Sequence, residues 1–251
     1  MKNKWIQIQT PETEKIDTYP IVLNRFLSLA KICSRRAAVG LIESGKVRVN
    51  KNIAGVGDRV DKKDIVEVTE DIAVLPESYR YYIYNKPIGI VSHNPQEGEK
   101  GVEDVFKKDV PLYPVGRLDK ASEGLMLLTN DGRLVSKVTD PSYEHEKEYK
   151  VWVDKKLTPM FKRKMEAGVQ IERYLTRPCR VEINDGDSFN ITLTEGKKHQ
   201  IRRMCAALGY QVQILRRVRI MDLKITGLKR GTGRELTEKE LDGLLRSTGL
   251  K

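Results

Sequence analysis

The chain has 251 residues, 39% of them hydrophobic and 32% charged, which is typical of a water-soluble protein with one large domain or two modest ones. A polar N-terminus and the lack of any run of about 18 apolar residues predict neither a signal peptide nor a membrane helix. We therefore expect a cytoplasmic protein without a membrane partner. The three cysteines and three histidines are scattered, which predicts no disulfide framework and no metal site.

The basic residues are concentrated in two stretches. The formal net charge is +11, and residues 23–51 carry seven Lys or Arg against one acid. Residues 197–221 carry another seven and no acid. A basic coat that only keeps the protein soluble would also give a high charge, but two separate clusters favour a folded nucleic acid as partner.

The first seventy residues predict a small domain behind an N-terminal extension of residues 1–19. Apolar spacing predicts a helix over 22–30 and a second over 35–43, with Ser34 as a plausible cap. Short alternating strands follow within 46–68. This domain spans 20–70, residues 71–78 with a proline form a linker, and a new domain begins at Tyr79 and continues to residue 251.

The second domain mixes strands and helices without regular alternation, which predicts an α+β fold with a largely antiparallel mixed sheet. Strands are expected over 81–84, 125–128, 145–153 and 212–220, and a hairpin over 179–193. Helices are expected over 102–107, after Gly132, and over 159–168, 201–208 and 237–245. We expect the strand 212–220 to bring its basic side chains to the surface.

Asp119 is the first candidate for a reactive group. It lies in a short polar loop that is closed by Gly124 and followed by the apolar run Leu125-Met126-Leu127-Leu128. A carboxylate mounted on a buried strand suits catalysis, although an isolated Asp near Gly is more often a turn former or a helix cap.

Three strings around this loop resemble the pseudouridine synthases of the RsuA/RluB/RluF type. They are Asn85-Lys86-Pro87-Ile88-Gly89, the stretch Gly116-Arg117-Leu118-Asp119, and Glu146-Lys147-Glu148-Tyr149 followed by the run from Gly196 to Met204. The front domain, with Ser-Arg-Arg opening its second helix and Gly-x-Val-x-Val-Asn after it, resembles the S4 RNA-binding domain. The resemblance is greatest to the RluF branch, which acts on large-subunit ribosomal RNA.

The resemblance implies isomerisation of a uridine to pseudouridine in structured RNA. The nucleotide would be flipped into a pocket, and Asp119 would either add to C1′ or take a proton from C2′. Arg202 would lie against Asp119, Tyr149 would stack on the uracil, and Arg117 would fill the gap left by the base or grip a flanking phosphate. The implied partner is 23S ribosomal RNA, with a tRNA stem-loop left open as a second substrate. A monomer without a small-molecule cofactor is expected.

Seven further basic residues are expected to bind RNA. The resemblance to the S4 domain implies that Arg35, Arg36 and Lys46 lie near phosphates, and the suitability of helix N-termini and guanidinium groups for phosphate agrees with this. The others in the second domain are Lys86, Arg203, Arg216 and Arg217.

Two other interpretations of the sequence stay open. The protein could be a non-catalytic S4-type RNA-binding factor for ribosome assembly that keeps the fold. It could also be a hydrolytic glycosidase, which normally needs a second carboxylate, and Glu123 is the nearest candidate for that role.

Overall fold

A computed structural model divides the chain into two compact units, Met1–Ser78 and Tyr79–Lys251. The structure describes residues 4–9, 19–30, 32–33, 35–70 and 79–251. The expected linker 71–78, most of the expected extension, the capping role of Ser34 and the side chain of Arg36 lie outside the described residues.

The N-terminal unit places two helices beside short strands. Its elements are β1 (Trp5–Gln7), β2 (Ile21–Val22), α1 (Leu23–Leu29), α2 (Arg35–Glu43), β3 (Val47–Val49), β4 (Asn52–Ile53), β5 (Arg59–Val60) and β6 (Val66–Thr69). Strands β1, β6, β3 and β4 form one antiparallel sheet in that order, and β2 pairs with β5. Both expected helices are confirmed, and their apolar stripes pack on the sheet through Phe26, Leu27 and Ile42.

The strand β1 comes from the segment that the sequence assigned to the extension. Its residue Trp5 is the register partner of Thr69, and the guanidinium of Arg48 lies 4.4 Å from the centroid of the Trp5 ring. Part of that segment is therefore an edge strand of the N-terminal sheet.

The C-terminal unit is built on one large sheet. The strands of the whole unit, inside and outside that sheet, are β7 (Tyr81–Lys86), β8 (Tyr113–Val115), β9 (Glu123–Thr129), β10 (Lys147–Val153), β11 (Gln170–Ile171), β12 (Tyr174–Leu175), β13 (Arg180–Ile183), β14 (Ser188–Leu193), β15 (Val212–Ile220), β16 (Leu223–Lys224) and β17 (Gly233–Glu235). Its helices are α3 (Val102–Val105), α4 (Gly132–Thr139), α5 (Pro159–Glu166), α6 (Gln200–Ala207) and α7 (Glu238–Ser247).

The main sheet runs in the order β13-β14-β10-β15-β9-β7-β17, with β8 beside β9 and β16 beside β15. The pairing of β9 with β15 is parallel and the other pairings are antiparallel. The expected α+β fold with a largely antiparallel mixed sheet is confirmed. No helix within the described ranges is long and apolar enough to cross a bilayer.

Strand β9 is the buried centre of this sheet. All seven of its residues are buried, as the apolar run predicted for 125–128. Gly124 adopts a φ of +113°, and a Cβ there would lie 2.3 Å from the carbonyl oxygen of Arg217 on β15. The parallel pairing of β9 and β15 thus requires glycine at this position.

Helix capping explains several element boundaries. The Asp131 carboxylate accepts from the Arg133 N–H at the start of α4, and Thr158 and Thr237 do the same for α5 and α7. The expected helix over 102–107 is shorter, because Phe106 leaves the helical conformation and packs its ring against Tyr84.

Candidate active site

A cavity of about 820 Å³ opens in the C-terminal unit beside the Asp119 loop, within the usual volume of small-molecule sites. Asp119, Tyr149 and Arg117 all line it. Asp119 is 37% exposed, so a ligand in the cavity can reach its carboxylate. Apolar side chains from the Asp119 loop, the sheet and the surrounding helices form much of its wall, namely Leu118, Val135, Val138, Leu193, Ile201, Leu215 and Ile220.

The loop that carries Asp119 is tied down by three other segments. The hydroxyl of buried Ser92 accepts a hydrogen bond of 2.9 Å from the Leu118 N–H and donates to the Leu118 carbonyl. Gly89, from the Asn-Lys-Pro-x-Gly string, donates its N–H to the Lys120 carbonyl at 2.8 Å. These contacts fix the backbone of both neighbours of Asp119, which gives the residue that carries the carboxylate a defined position.

Arg202 contributes the third tie, but it binds the backbone of the loop and not, as expected, the Asp119 side chain. Its guanidinium donates from Nη2 to the Ala121 carbonyl at 2.9 Å and from Nη1 to the Val212 carbonyl at 3.0 Å. The expected ion pair between Arg202 and Asp119 is wrong for this structure, because the fork of the guanidinium is taken up by two carbonyls. Arg202 holds the loop two residues beyond Asp119 and links it to α6 and β15.

The side chain that meets Asp119 is His199. Its Nε2 lies 3.5 Å from Oδ1 of Asp119, and both groups are partly exposed at the cavity. His199 precedes α6 with a φ of +52°, a left-handed conformation that turns its ring towards the loop.

Tyr149 and Arg217 face each other across two neighbouring strands. They are register partners of β10 and β15, and both line the cavity. Arg217 is only 3% exposed, and its Nε donates to the Leu125 carbonyl at 2.7 Å. The expectation that Arg217 presents its charge at the surface is wrong, since it lies on the inward face of β15 with Leu215.

Lys86 also differs from the sequence-based expectation, and a second lysine, Lys147, shares its lowered pKa. Lys86 is fully buried and donates from Nζ to the carbonyls of Pro87 and Ile90, so its expected contact with RNA phosphate is wrong. Burial lowers the pKa of Lys86 to about 8, partly offset by the charge of Asp119. Burial also lowers the pKa of Lys147, which lines the cavity, to about 8, and the charge of Arg217 adds to this effect.

Arg203 and Arg216, the other two residues of this unit expected to bind RNA, are engaged in ion pairs. Arg216 binds the carboxylate of Glu123 and is about one-third exposed, while Arg203 is 2.7 Å from the Glu172 carboxylate. Glu123 is 1% exposed and is also bound by Arg230 at 2.8 Å. Glu123 is thus a buried structural anion, which removes it as the second carboxylate of a glycosidase.

In the N-terminal unit, α2 begins at Arg35, whose side chain is exposed. Lys46 is half-buried, and its carbonyl accepts from the Thr69 N–H at 3.1 Å. Arg48 is committed to Glu67 by a bidentate pair with both distances 2.6 Å. Of these three basic side chains, that of Arg35 is the exposed one.

Sequence reasoning missed Ser92, Lys147 and His199. His199 and Lys147 lie inside the strings that carry the family resemblance, so their position beside the predicted site residues was a usable signal. Ser92 follows the first string by three residues, and nothing in its local pattern distinguishes it from a turn residue. No cluster of three or more His, Cys, Asp or Glu that could hold a metal ion occurs among the residues that the structure describes.

Comparison with known proteins identifies the family of this fold and site. Residues 80–207 match RNA pseudouridylate synthase, and residues 23–66 match the S4 domain. The dual-specificity RNA pseudouridine synthase RluF of Escherichia coli K12 is 42% identical over 227 residues, which cover 89% of this chain and 78% of that protein. The ribosomal large subunit pseudouridine synthase B of Bacillus subtilis is 36% identical, with 88% and 94% covered.

A solved structure agrees with these sequence relatives. The crystal structure of a pseudouridylate synthase superposes with a TM-score of 0.68 and 29% identity, covering 89% of this chain and 99% of the other. The chain belongs to the RNA pseudouridine synthase family and is an enzyme that isomerises uridine in RNA. The non-catalytic interpretation is therefore set aside.

Proposed function

We propose that the enzyme converts a specific uridine of 23S ribosomal RNA to pseudouridine, and that a tRNA stem-loop is a possible second substrate class to be tested beside it. The relatives' names refer to the large ribosomal subunit and to dual specificity, and the net charge of +11 suits a large folded RNA. The enzyme would act as a monomer in the cytoplasm, where ribosomal RNA is made into ribosomes.

The observation that carries this proposal is the convergence of Asp119, Tyr149 and Arg117 on one cavity. A uridine inside a folded RNA must leave its stack to reach this carboxylate, which costs a few kcal/mol, about the value of one or two stacking contacts. Tyr149 provides an aromatic face for the extruded base. Arg117 is exposed at the cavity mouth, with no hydrogen-bond or ion-pair partner among the described residues, and would contact the RNA beside the vacated position.

Asp119 would act on the sugar, either at C1′ as a nucleophile or at C2′ as a base. Both roles need an ionised and immobile carboxylate. The ties from Ser92, Gly89 and Arg202 supply the immobility. Arg202 would thus serve as a positioning residue through the loop backbone.

The S4 domain would supply affinity for the RNA rather than chemistry. Arg35 and Arg36 at the start of α2 would bind phosphate together with Lys46. In the catalytic unit, Arg203 and Arg216 at the surface would add contacts if RNA displaces their present acidic partners.

The substrate is tested by treating unmodified 23S ribosomal RNA, 16S ribosomal RNA and bulk tRNA with the enzyme and mapping pseudouridine by carbodiimide adduct and reverse transcription. We expect one position in 23S ribosomal RNA to be modified at the lowest enzyme concentration. Exclusive modification of tRNA, or of 16S ribosomal RNA, would contradict the proposed substrate while leaving the enzyme class intact.

The proposed binding of phosphate by Arg35 and Arg36 is tested with the double variant Arg35→Ala, Arg36→Ala. Loss of two phosphate contacts should lower the slope of log Kd against log salt by about 1.5 to 2, and leave the single-turnover rate at saturating RNA unchanged. The double variant Lys62→Ala, Lys63→Ala is the matched control, because both lysines are exposed in a turn of the same unit. Equal salt slopes for the two double variants would refute the assignment.

A further inference from the structure

Arg217 holds an unused hydrogen-bond donor inside the cavity. Its Nε is fixed to the Leu125 carbonyl, but its Nη2 is buried and has no hydrogen-bond partner among the described residues. A buried charged donor that lacks a partner is expensive, so such groups persist where a ligand satisfies them. The residue is 3% exposed and lines the cavity that contains Asp119.

Two lysines lie close to Arg217. Lys86 and Lys147 both lie close enough for Arg217 to lower their pKa. The buried carboxylate of Glu123 is bound by Arg216 and Arg230, and no ion pair joins it to Arg217 among the described residues. An anion formed in the cavity would therefore meet a preorganised cationic group.

The position of Arg217 relative to Tyr149 indicates which part of a bound nucleotide it meets. Cross-strand register partners have Cβ atoms about 4.5 to 5.5 Å apart and project from the same face of the sheet. A base that stacks on the Tyr149 ring therefore presents an edge towards Arg217. The polar atoms on the edges of uracil are its two carbonyl oxygens and N3, and the carbonyls accept from a guanidinium.

We propose that Arg217 is a further catalytic residue, whose Nη2 donates a hydrogen bond to a carbonyl oxygen of the flipped uracil. When the N1–C1′ bond breaks, its electron pair leaves with the base, and the negative charge spreads onto these oxygens. C1′ is held meanwhile by Asp119, either as an ester or, once Asp119 has taken the C2′ proton, as the C1′–C2′ double bond. After the base turns, C5 uses an electron pair of the base to bond C1′ as the ester bond to Asp119 breaks or as the proton returns to C2′. The C5 proton then goes to solvent and N1 gains a proton. Arg217 stays protonated throughout and stabilises the anion between the two bonds.

This inference rests on the proposed function, and its test pairs a protein change with a substrate change. Uridine, 2-thiouridine and 4-thiouridine are placed at the target position, because sulfur is a weaker acceptor than oxygen. Single-turnover rates are measured for the wild type and for Arg217→Met. In the wild type one of the two thio substitutions should slow the reaction more than the other, and Arg217→Met should slow uridine by about 10- to 100-fold.

The diagnostic result is non-additivity. If Arg217 binds the substituted oxygen, that thio substitution will cost little or nothing further in Arg217→Met. Arg219→Met is the matched control, because Arg219 lies on the same strand but binds Glu146 and Glu148, and its effect should add to that of either thio substitution. If Arg217→Met does not fold, Arg217→Lys replaces it, since lysine keeps the charge but cannot span Leu125 and the base.

Additive effects of both thio substitutions in the folded Arg217 variant would overturn the inference. The same experiment separates this failure from that of the proposed function. If the wild type modifies uridine and the effects of the Arg217 variant and the thio substitutions simply add, only the role of Arg217 is contradicted. If the wild type modifies no RNA, the proposed function itself is contradicted.

Discussion

Ser92 offers the sharpest test of how the Asp119 loop is held. Its hydroxyl satisfies both the N–H and the carbonyl of Leu118, and the side chain is 2% exposed. The variant Ser92→Ala leaves two buried backbone groups without a hydrogen bond, and each unpaired group lowers the stability of the folded state by about 1 to 3 kcal/mol. Allowing for partial relaxation, we expect the free energy of unfolding to fall by about 2 to 4 kcal/mol.

The same change should also affect catalysis, because Leu118 is the residue before Asp119. A displacement of the carboxylate by about 1 Å costs about 100-fold in rate. We therefore expect the single-turnover rate of Ser92→Ala at saturating RNA to fall by about one to two orders of magnitude, as a displacement of up to about 1 Å would cause. The Kd for RNA should stay unchanged.

Ser122→Ala is the matched control for stability. Ser122 belongs to the same loop, is 1% exposed, and its hydroxyl has no hydrogen-bond partner among the described residues. Urea unfolding in a Trp5→Phe background would report the catalytic unit through Trp152, the other tryptophan of the chain. If Ser92→Ala and Ser122→Ala unfold within about 0.5 kcal/mol of each other, a normal scatter for neutral changes, the argument is refuted.

Two further predictions concern the buried centre of the catalytic unit. Lys86 has a pKa of about 8 when folded and 10.5 as a free side chain, so the unfolded chain binds more protons between these pH values, and stability rises with pH there. Between pH 8 and pH 10 the free energy of unfolding of the wild type, measured with urea, should rise by about 2 to 3 kcal/mol relative to that of Lys86→Met. A difference between the two proteins that does not change with pH would contradict this. Gly124→Ala should lower the free energy of unfolding by more than about 3 kcal/mol, because its Cβ would overlap the backbone of Arg217. Gly132→Ala is the control, since the space at its Cβ position is open, and it should change the free energy of unfolding by less than about 1 kcal/mol in the same assay. Equal stabilities of the two alanine variants would contradict the close approach of β9 and β15.

Most of the elements follow from local patterns in the sequence. The apolar run 125–128 predicts the buried strand β9, and Ile201, Met204 and Cys205 at helical spacing predict α6. The capping box of Thr237 with Glu240 predicts the start of α7. The short strands β11, β12 and β17 were missed, because two or three residues give no usable period.

The site was less predictable where burial opposed residue type. Alternation from Leu215 places Arg217 on the inward face of β15, but the general preference of arginine for the surface argued the other way. Lys86 is similar, since its burial depends on the carbonyls of Pro87 and Ile90. The contact of Arg202 with Ala121, 81 residues away, depends on tertiary packing and leaves no local signal.

The central claim is that this chain isomerises uridine in RNA and that Asp119 is required for the chemistry. Isomerisation must release the hydrogen at C5, so RNA labelled with tritium at C5 of uridine reports the reaction directly. Wild type and Asp119→Asn would be compared on unmodified 23S ribosomal RNA, with equal RNA binding as the control. We expect tritium release by the wild type and none by Asp119→Asn. Equal release by both proteins, or tight binding without release by the wild type from ribosomal RNA and tRNA alike, would contradict the account.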